Sequence, residues 1–164
     1  MLFALVLMSL NGCGWRLRGA VDVEMAAPPA MQVRFQQASA DLKRELNQKL
    51  ASAGVDLNDS ADLVLMIHSE KQGRRVLSVG SSGKVSEYDL QYELLFSLRN
   101  GGQQLISNER ISQQRDYQFD DASVLAKGEE EKRLFEFMRR MAVQKLLRRL
   151  QSAVVNQAET ANAN

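Results

Sequence analysis

A strict alternation of apolar and polar side chains over residues 85–98 constrains the fold more than any other feature of this sequence. Such a period of two predicts a β-strand with one buried face. Fourteen residues of strand would extend roughly 48 Å, far beyond the usual strand of about five or six residues. The sheet should therefore be long and narrow, and its buried face would carry the large apolar side chains, which are Tyr88, Leu90, Tyr92, Leu94, Phe96 and Leu98.

Two turn signals bracket this strand. Residues 80–83 read GSSG and residues 100–102 read NGG, and both are typical of β-hairpins. A further strand is predicted from Gln104 to Phe119, and beyond Ile106 its side chains are polar on both faces. A strand of this kind lies at the edge of a sheet or faces a wet surface.

The first half of the chain predicts a strand, a helix and a second strand. Residues 31–36 alternate apolar and polar side chains, Ser39 can cap the following helix, and Gly54 supplies its C-terminal stop. The continuous apolar run Leu63–Ile67 is typical of a central strand buried on both faces. A strand, a helix and a strand in this order favour a right-handed crossover with parallel pairing.

The final helix should be capped by Asp120 or Asp121 and should run to about Leu150. Its apolar stripe is broader than one sheet contact requires, which leaves two interpretations. The helix is either packed deeply within a small domain, or it offers a spare face, including Met138, to a partner. Residues 156–164 are predicted to be a disordered tail. The whole pattern indicates a mixed α/β fold in the order β-α-β-β-β-α.

The start of the chain resembles a secretion signal. Residues 1–10 carry no charge but are too few to span a membrane, and a small glycine precedes Cys13, as in a bacterial lipobox. We therefore expect residues 1–12 to be a signal peptide and Cys13 to be the lipid anchor of a domain over residues 13–155, the alternative being a buried thiol. Because no basic residue precedes Cys13, we expect the true start codon to lie upstream of Met1.

Composition excludes several classes of function. The chain has 21 basic and 20 acidic residues, so its net charge of +1 does not indicate a nucleic-acid partner. One cysteine and one histidine cannot form a structural zinc site. His68 is best explained as a structural histidine, and the acidic pair at residues 120–121 as a helix cap. With no catalytic motif in the sequence, we expect neither an enzyme nor a cofactor beyond the lipid on Cys13.

Three segments carry a resemblance to a known family. Residues 13–19 (CGWRLRG), residues 83–88 (GKVSEY) and residues 125–127 (LAK) occur in the order found in the LptE family of lipopolysaccharide-assembly lipoproteins. The resemblance implies two helices on one face of a four-stranded mixed sheet. It also implies a non-enzymatic outer-membrane lipoprotein on the periplasmic face, which plugs and helps to assemble the LptD β-barrel and binds lipopolysaccharide. A lipoprotein pilot or periplasmic chaperone for another membrane complex is the alternative.

The resemblance also implies roles for particular residues. Lys127 would meet the lipid A phosphates, and Lys84 would supply the charge of the hairpin, where related proteins often carry a basic and a bulky residue in place of Gly80 and Ser81. Without the resemblance, Lys127 would be interpreted as a solvated helix lysine. We expect the polar strand at Gln114 and the outer face of the last helix at Met138 to contact the barrel wall.

Overall fold

The computed structural model describes residues 30–120 and 123–162. Its strands form one sheet in the order β1-β2-β3-β4, with β1 parallel to β2 and the other neighbours antiparallel. Both helices pack on the same face of the sheet and share one core with it. The predicted mixed α/β fold is therefore confirmed, with the elements β1 (Met31–Gln37), α1 (Ala40–Ser52), β2 (Leu63–Val79), β3 (Val85–Asn100), β4 (Gln103–Gln118) and α2 (Val124–Asn162).

Helix α1 begins and ends where its sequence predicts. The Ser39 side chain accepts a hydrogen bond from the Leu42 amide at 3.1 Å, which satisfies an otherwise unpaired donor of the first turn. At the other end Gly54 adopts a left-handed φ of 80°, and the Val55 amide donates to the Leu50 carbonyl at 3.1 Å. The side chains of Leu50 and Val55 are both buried, and such an apolar contact is typical of a helix that ends at a left-handed glycine.

Strand β3 is the centre of the core. The six large apolar residues of its alternation face the helices, and all but the half-buried Tyr88 are fully buried. Helix α1 covers one part of this face with Leu42, Leu46 and Leu50. Helix α2 covers another part with residues that include Met138, Ala142, Val143, Leu146 and Leu150.

Strand β2 is much longer than predicted. The sequence predicts a strand that ends at Ile67, whereas β2 continues to Val79. Ile67 pairs with Phe96 and Ser69 pairs with Leu95, so His68 is an extra residue that shifts the register. Beyond it, the inward positions fall on even residue numbers, and the first three, Glu70, Gln72 and Arg74, are polar. The apolar pattern therefore stops although the strand continues.

Strand β4 lies at the edge of the sheet, as its polar sequence predicts. Ile111 and Tyr117 are its buried side chains, and most of the others are exposed. A bulge opposite Phe96 and Leu98 puts Asn108 in the left-handed region with a φ of 43°. Asparagine tolerates this conformation better than most residues.

Helix α2 corrects two predictions. It extends beyond Leu150 to Asn162, so the predicted disordered tail from Asn156 is helical as far as the structure describes it. Gln157 accepts a hydrogen bond from the Asn100 side chain at 3.0 Å, which ties the last turns to the β3–β4 hairpin. The predicted cap concerns the start of α2. There the Asp120 carbonyl accepts a hydrogen bond from the Ser123 amide at 3.1 Å, and Asp121 lies outside the described residues.

A polar network around the buried Tyr92 fixes the start of α1 against the sheet. The fully buried Tyr92 donates its hydroxyl hydrogen bond to one oxygen of Glu70 at 2.8 Å. The other Glu70 oxygen accepts from the Ser39 amide at 2.7 Å. Beside it, Arg139 of α2 donates to Glu45 of α1 at 3.0 Å. These bonds connect both helices to the point where β1 ends and β2 continues.

We expect the Tyr92→Phe variant to lose about 1 kcal/mol of stability near pH 7, because the Glu70 carboxylate loses the hydrogen bond that the buried hydroxyl donates. Burial, together with the Glu70 carboxylate, raises the pKa of Tyr92 above its ordinary value of 10.0. Above that pH the unfolded chain releases the phenolic proton while the folded chain keeps it, so the wild type should lose stability as the pH rises. Urea titrations near pH 7 and about pH 11 measure both effects. If the wild type and Tyr92→Phe lost the same amount of stability between the two pH values, this account would be contradicted.

Candidate functional site

The inner face of the sheet is left open at the β2–β3 hairpin. Strand β1 pairs with β2 only as far as Ser69, so the far half of β2 has no neighbour on that side. Apolar side chains are exposed at this end, among them Val76, which is 51% exposed, and Leu125 at the start of α2, which is 89% exposed. We call these residues the apolar rim, together with Leu77, Val79 and Val124.

An aromatic cluster lies on the same open face. Tyr88 and Tyr117 are cross-strand partners whose rings stack at 6.4 Å between centroids with an interplanar angle of 20°. The Phe119 ring meets Tyr88 edge-on at 5.4 Å. Aromatic pairs favour these geometries, so the cluster forms a rigid platform beneath the first turns of α2.

Lys127 lies over this platform. Its ammonium is 5.4 Å from the Tyr117 ring centroid and 2.9 Å from the Glu130 carboxylate, and its side chain is 22% exposed. The hydrogen bond that Lys127 donates to Glu130 raises the pKa of Lys127, so the side chain is a cation at neutral pH. The Tyr117 hydroxyl donates to the Lys127 carbonyl, which fixes the helix backbone to the sheet.

A cleft of about 540 Å³ opens beside Lys127, between the hairpin and the end of β4. Hydroxyl, amide and carboxylate groups line most of it, and Phe119 adds an aromatic wall. The cleft can therefore hold a polar group next to apolar surface, with the lining formed by Ser78, Ser86, Glu87, Gln118, Phe119, Asp120 and Lys127.

The second predicted cation, Lys84, is exposed in the hairpin turn. Its carbonyl accepts a hydrogen bond from Gly80 at 2.7 Å, and Gly83 closes the turn with a left-handed φ of 76°. The fold thus brings both predicted lysines to the hairpin end. Cys13, the predicted lipid anchor, lies outside the described residues.

The two predicted partner contacts have different outcomes. Gln114 is exposed on the outer face of the sheet, opposite the helices. Met138, however, is only 1% exposed and belongs to the core, so its prediction as a surface contact is wrong. The broad apolar stripe of α2 packs against the sheet and α1 within this chain, which leaves Met138 no free surface.

The outer face of the sheet is mostly polar, although the buried Val64 also lies on it. Arg75 forms an ion pair with Asp89 at 2.9 Å, and Gln91 donates to the same carboxylate at 2.8 Å. Arg110 pairs with Glu93 at 3.5 Å. His68 is hydrogen-bonded to Ser97 and Gln36 on this face, which agrees with the prediction of a structural histidine. Polar partners rather than apolar packing thus organise the outer face.

Residues 30–120 and 123–162 lack a clustered metal site and a membrane-spanning helix. They contain no group of three or more histidine, cysteine, aspartate or glutamate residues that could hold a metal ion. None of their helices is long and apolar enough to cross a membrane.

Arg74 belongs to the hairpin end but was missed by the sequence analysis. Its guanidinium lies 4.5 Å from the Tyr88 ring centroid and 3.0 Å from the Glu131 carboxylate. The register shift at His68 hid this residue, because it ends the apolar pattern before Arg74. Hairpin length was the available signal: a strand as long as β3 needs an equally long partner before the turn at residues 80–83.

Residues 19–150 match the LptE family, described as lipopolysaccharide-assembly. The chain belongs to the LptE family. The LPS-assembly lipoprotein LptE of Yersinia enterocolitica is 29% identical over 170 residues, which cover 99% of this chain and 79% of that protein. Family membership makes this chain a lipopolysaccharide-assembly lipoprotein and confirms the resemblance seen in its three motifs.

Solved structures of related lipoproteins share the LptE fold. Rare lipoprotein B from Shewanella oneidensis aligns with a TM-score of 0.63 and 27% identity, over 79% of this chain and 98% of that one. Lipoprotein B from Nitrosomonas europaea aligns with a TM-score of 0.68 and 25% identity, over 90% of this chain and 96% of that one. The alignments cover nearly all of both relatives, so the LptE architecture extends over the whole domain.

Proposed function

We propose that this LptE-family protein is a non-enzymatic outer-membrane subunit that binds lipopolysaccharide at its hairpin end and plugs an LptD-type β-barrel. The observation that carries the binding role is the position of Lys127, a cation beside a polar cleft, an aromatic platform and the apolar rim. Lipopolysaccharide joins phosphate groups to acyl chains, so one end of the protein offers a partner to each part of the ligand.

The energetics of this site favour an amphipathic anion. A lysine engages phosphate as a point charge, and the attraction grows where neighbouring apolar groups exclude water. Exposed apolar side chains gain roughly 25 cal/mol for each Å² that acyl chains cover. Glu130 competes for the ammonium of Lys127, and it holds that ammonium in place when no ligand is bound.

The barrel part of the proposal is supported by the outer face of the sheet. A barrel lumen is polar, so a plug needs polar side chains on surfaces that become covered. The outer face meets this need with hydrogen-bonding groups such as Gln114 and with ion pairs such as Arg110–Glu93. Arg75 and Arg110 are already paired with Asp89 and Glu93 within the sheet, which reduces the cost of removing these charges from water.

The membrane part of the proposal depends on Cys13. Acyl chains contribute roughly 0.8 kcal/mol per buried CH₂, so several chains on one cysteine would hold the domain at a bilayer. The lipid at Cys13 would therefore provide a membrane anchor separate from the lipopolysaccharide site.

Replacing Lys127 with glutamate should weaken lipopolysaccharide binding by roughly tenfold or more, because repulsion replaces a charge-assisted contact. The helix should survive, since both residue types are good helix formers. Titrations at low and high salt measure the loss, which should shrink at high salt as charges are screened. Lys84→Glu should cause a smaller loss because the turn is exposed.

Arg148→Glu is the matched control for Lys127→Glu. It makes the same charge change on an exposed position of α2, about six turns away. Circular dichroism should show that all variants fold. Equal affinities for the wild type, Lys127→Glu and Lys84→Glu would remove both lysines from the site.

A photocrosslinking residue at Gln114 should capture a large β-barrel protein in cells, because the proposal puts the outer face against the barrel wall. The product is identified by mass spectrometry. Depleting the LptD-type protein should remove it, which makes the depleted strain the control. A product of another identity that survives depletion would instead support a pilot or chaperone for a different membrane complex.

The Cys13→Ala variant should fold normally but leave the membrane fraction, because it lacks the residue proposed to carry the lipid. Fractionation and radiolabelled palmitate uptake measure the two effects. Circular dichroism of the released domain checks its fold. Unchanged palmitate uptake by the variant, with recovery in the membrane, would rule out Cys13 as the anchor.

A further inference from the structure

We propose that Arg74 is a second phosphate-binding residue, which acts with Lys127 to favour lipids that carry two phosphates. This inference rests on the proposed lipopolysaccharide site and names a specificity residue within it. Arg74 lies on the inner face of the sheet at the open half of β2, and its side chain is 46% exposed. An incoming ligand can therefore reach it.

The two cations occupy equivalent positions on one aromatic platform. Arg74 lies over the Tyr88 ring at 4.5 Å, and Lys127 lies over the Tyr117 ring at 5.4 Å. These rings stack on each other, so the platform fixes the spacing between the two positive charges. Stacking on a ring also orients the planar guanidinium, which then needs less ordering to bind a phosphate.

Consecutive acidic residues of α2 hold the two cations. Glu131 pairs with Arg74 at 3.0 Å, and Glu130 pairs with Lys127 at 2.9 Å. Each carboxylate occupies a place that a phosphate oxygen can take, so ligand binding would exchange one anion for another. Arginine can form two parallel hydrogen bonds to a phosphate, which strengthens this exchange at Arg74.

The neighbouring Arg75 lies on the other face of the sheet and takes no part in this site. Arg75 points to the outer face, where it pairs with the buried carboxylate of Asp89. Two adjacent arginines thus have separate roles. Only Arg74 shares the aromatic platform with Lys127.

The experiment measures binding of bisphosphoryl lipid A and monophosphoryl lipid A with the same acyl chains to the full-length wild type and to Arg74→Gln. The wild type should prefer the bisphosphoryl lipid, and Arg74→Gln should bind that lipid about three- to tenfold more weakly while losing the preference. Arg110→Gln is the control, since it removes one arginine from the outer face and leaves Glu93, which is 39% exposed.

The Glu131→Gln variant tests the exchange of anions. Without the competing carboxylate, Arg74 should bind the bisphosphoryl lipid more tightly than in the wild type. A residue that only supports the fold would not give effects of opposite sign in these two variants. If Arg74→Gln fails to fold, Arg74→Lys takes its place, with the charge kept but the paired hydrogen bonds lost.

The outcomes separate this inference from the proposed function. If Lys127→Gln weakens binding while Arg74→Gln and Glu131→Gln match the wild type, the second phosphate contact is wrong and the lipopolysaccharide site stands. If the wild type binds neither lipid, the proposed function fails. Displacement of the lipid by excess inorganic phosphate would mean that the pair binds free phosphate, which would overturn the assignment to a lipid.

Discussion

The length of the β2–β3 hairpin is the constraint on which the rest of this structure depends. Its strands have 17 and 16 residues, whereas β1 has 7 and α1 has 13. A strand rises about 3.4 Å per residue and a helix about 1.5 Å, so α1 covers well under half of β3. The fold therefore has a closed end with a full apolar core and an open end that presents the site.

Helix α2 is the element that matches the sheet in length. Its 39 residues extend about 58 Å, from Lys127 beside the hairpin to Gln157 at the β3–β4 turn. This length explains one feature that the sequence left ambiguous and one that it predicted wrongly. The broad apolar stripe around Met138 is used within the chain, against the sheet and α1. The polar residues after Asn156 remain helical because Gln157 has a partner on the sheet.

Sequence periodicity predicted β3 and both turns because the same alternate residues of the strand face one apolar core along its length. It failed for β2, where the extra residue at His68 moves the inward positions from odd to even residue numbers and the next three of them are polar. The residues of the candidate site were likewise predicted only in part. Lys127 was found through a short family motif, whereas Arg74 depends on register and on the Tyr88 ring from another strand. Such a contact leaves no local pattern.

The two ends of the molecule use their polar groups differently. At the closed end Tyr92 is fully buried and the Arg139 side chain is 12% exposed, so breaking the hydrogen bond of either one leaves a shielded group without that partner. At the open end the acids that hold Arg74 and Lys127 are partly exposed, and such pairs contribute little to stability. The proposed exchange of these carboxylates for ligand phosphates would therefore cost the fold little, because the closed end holds the helices in place.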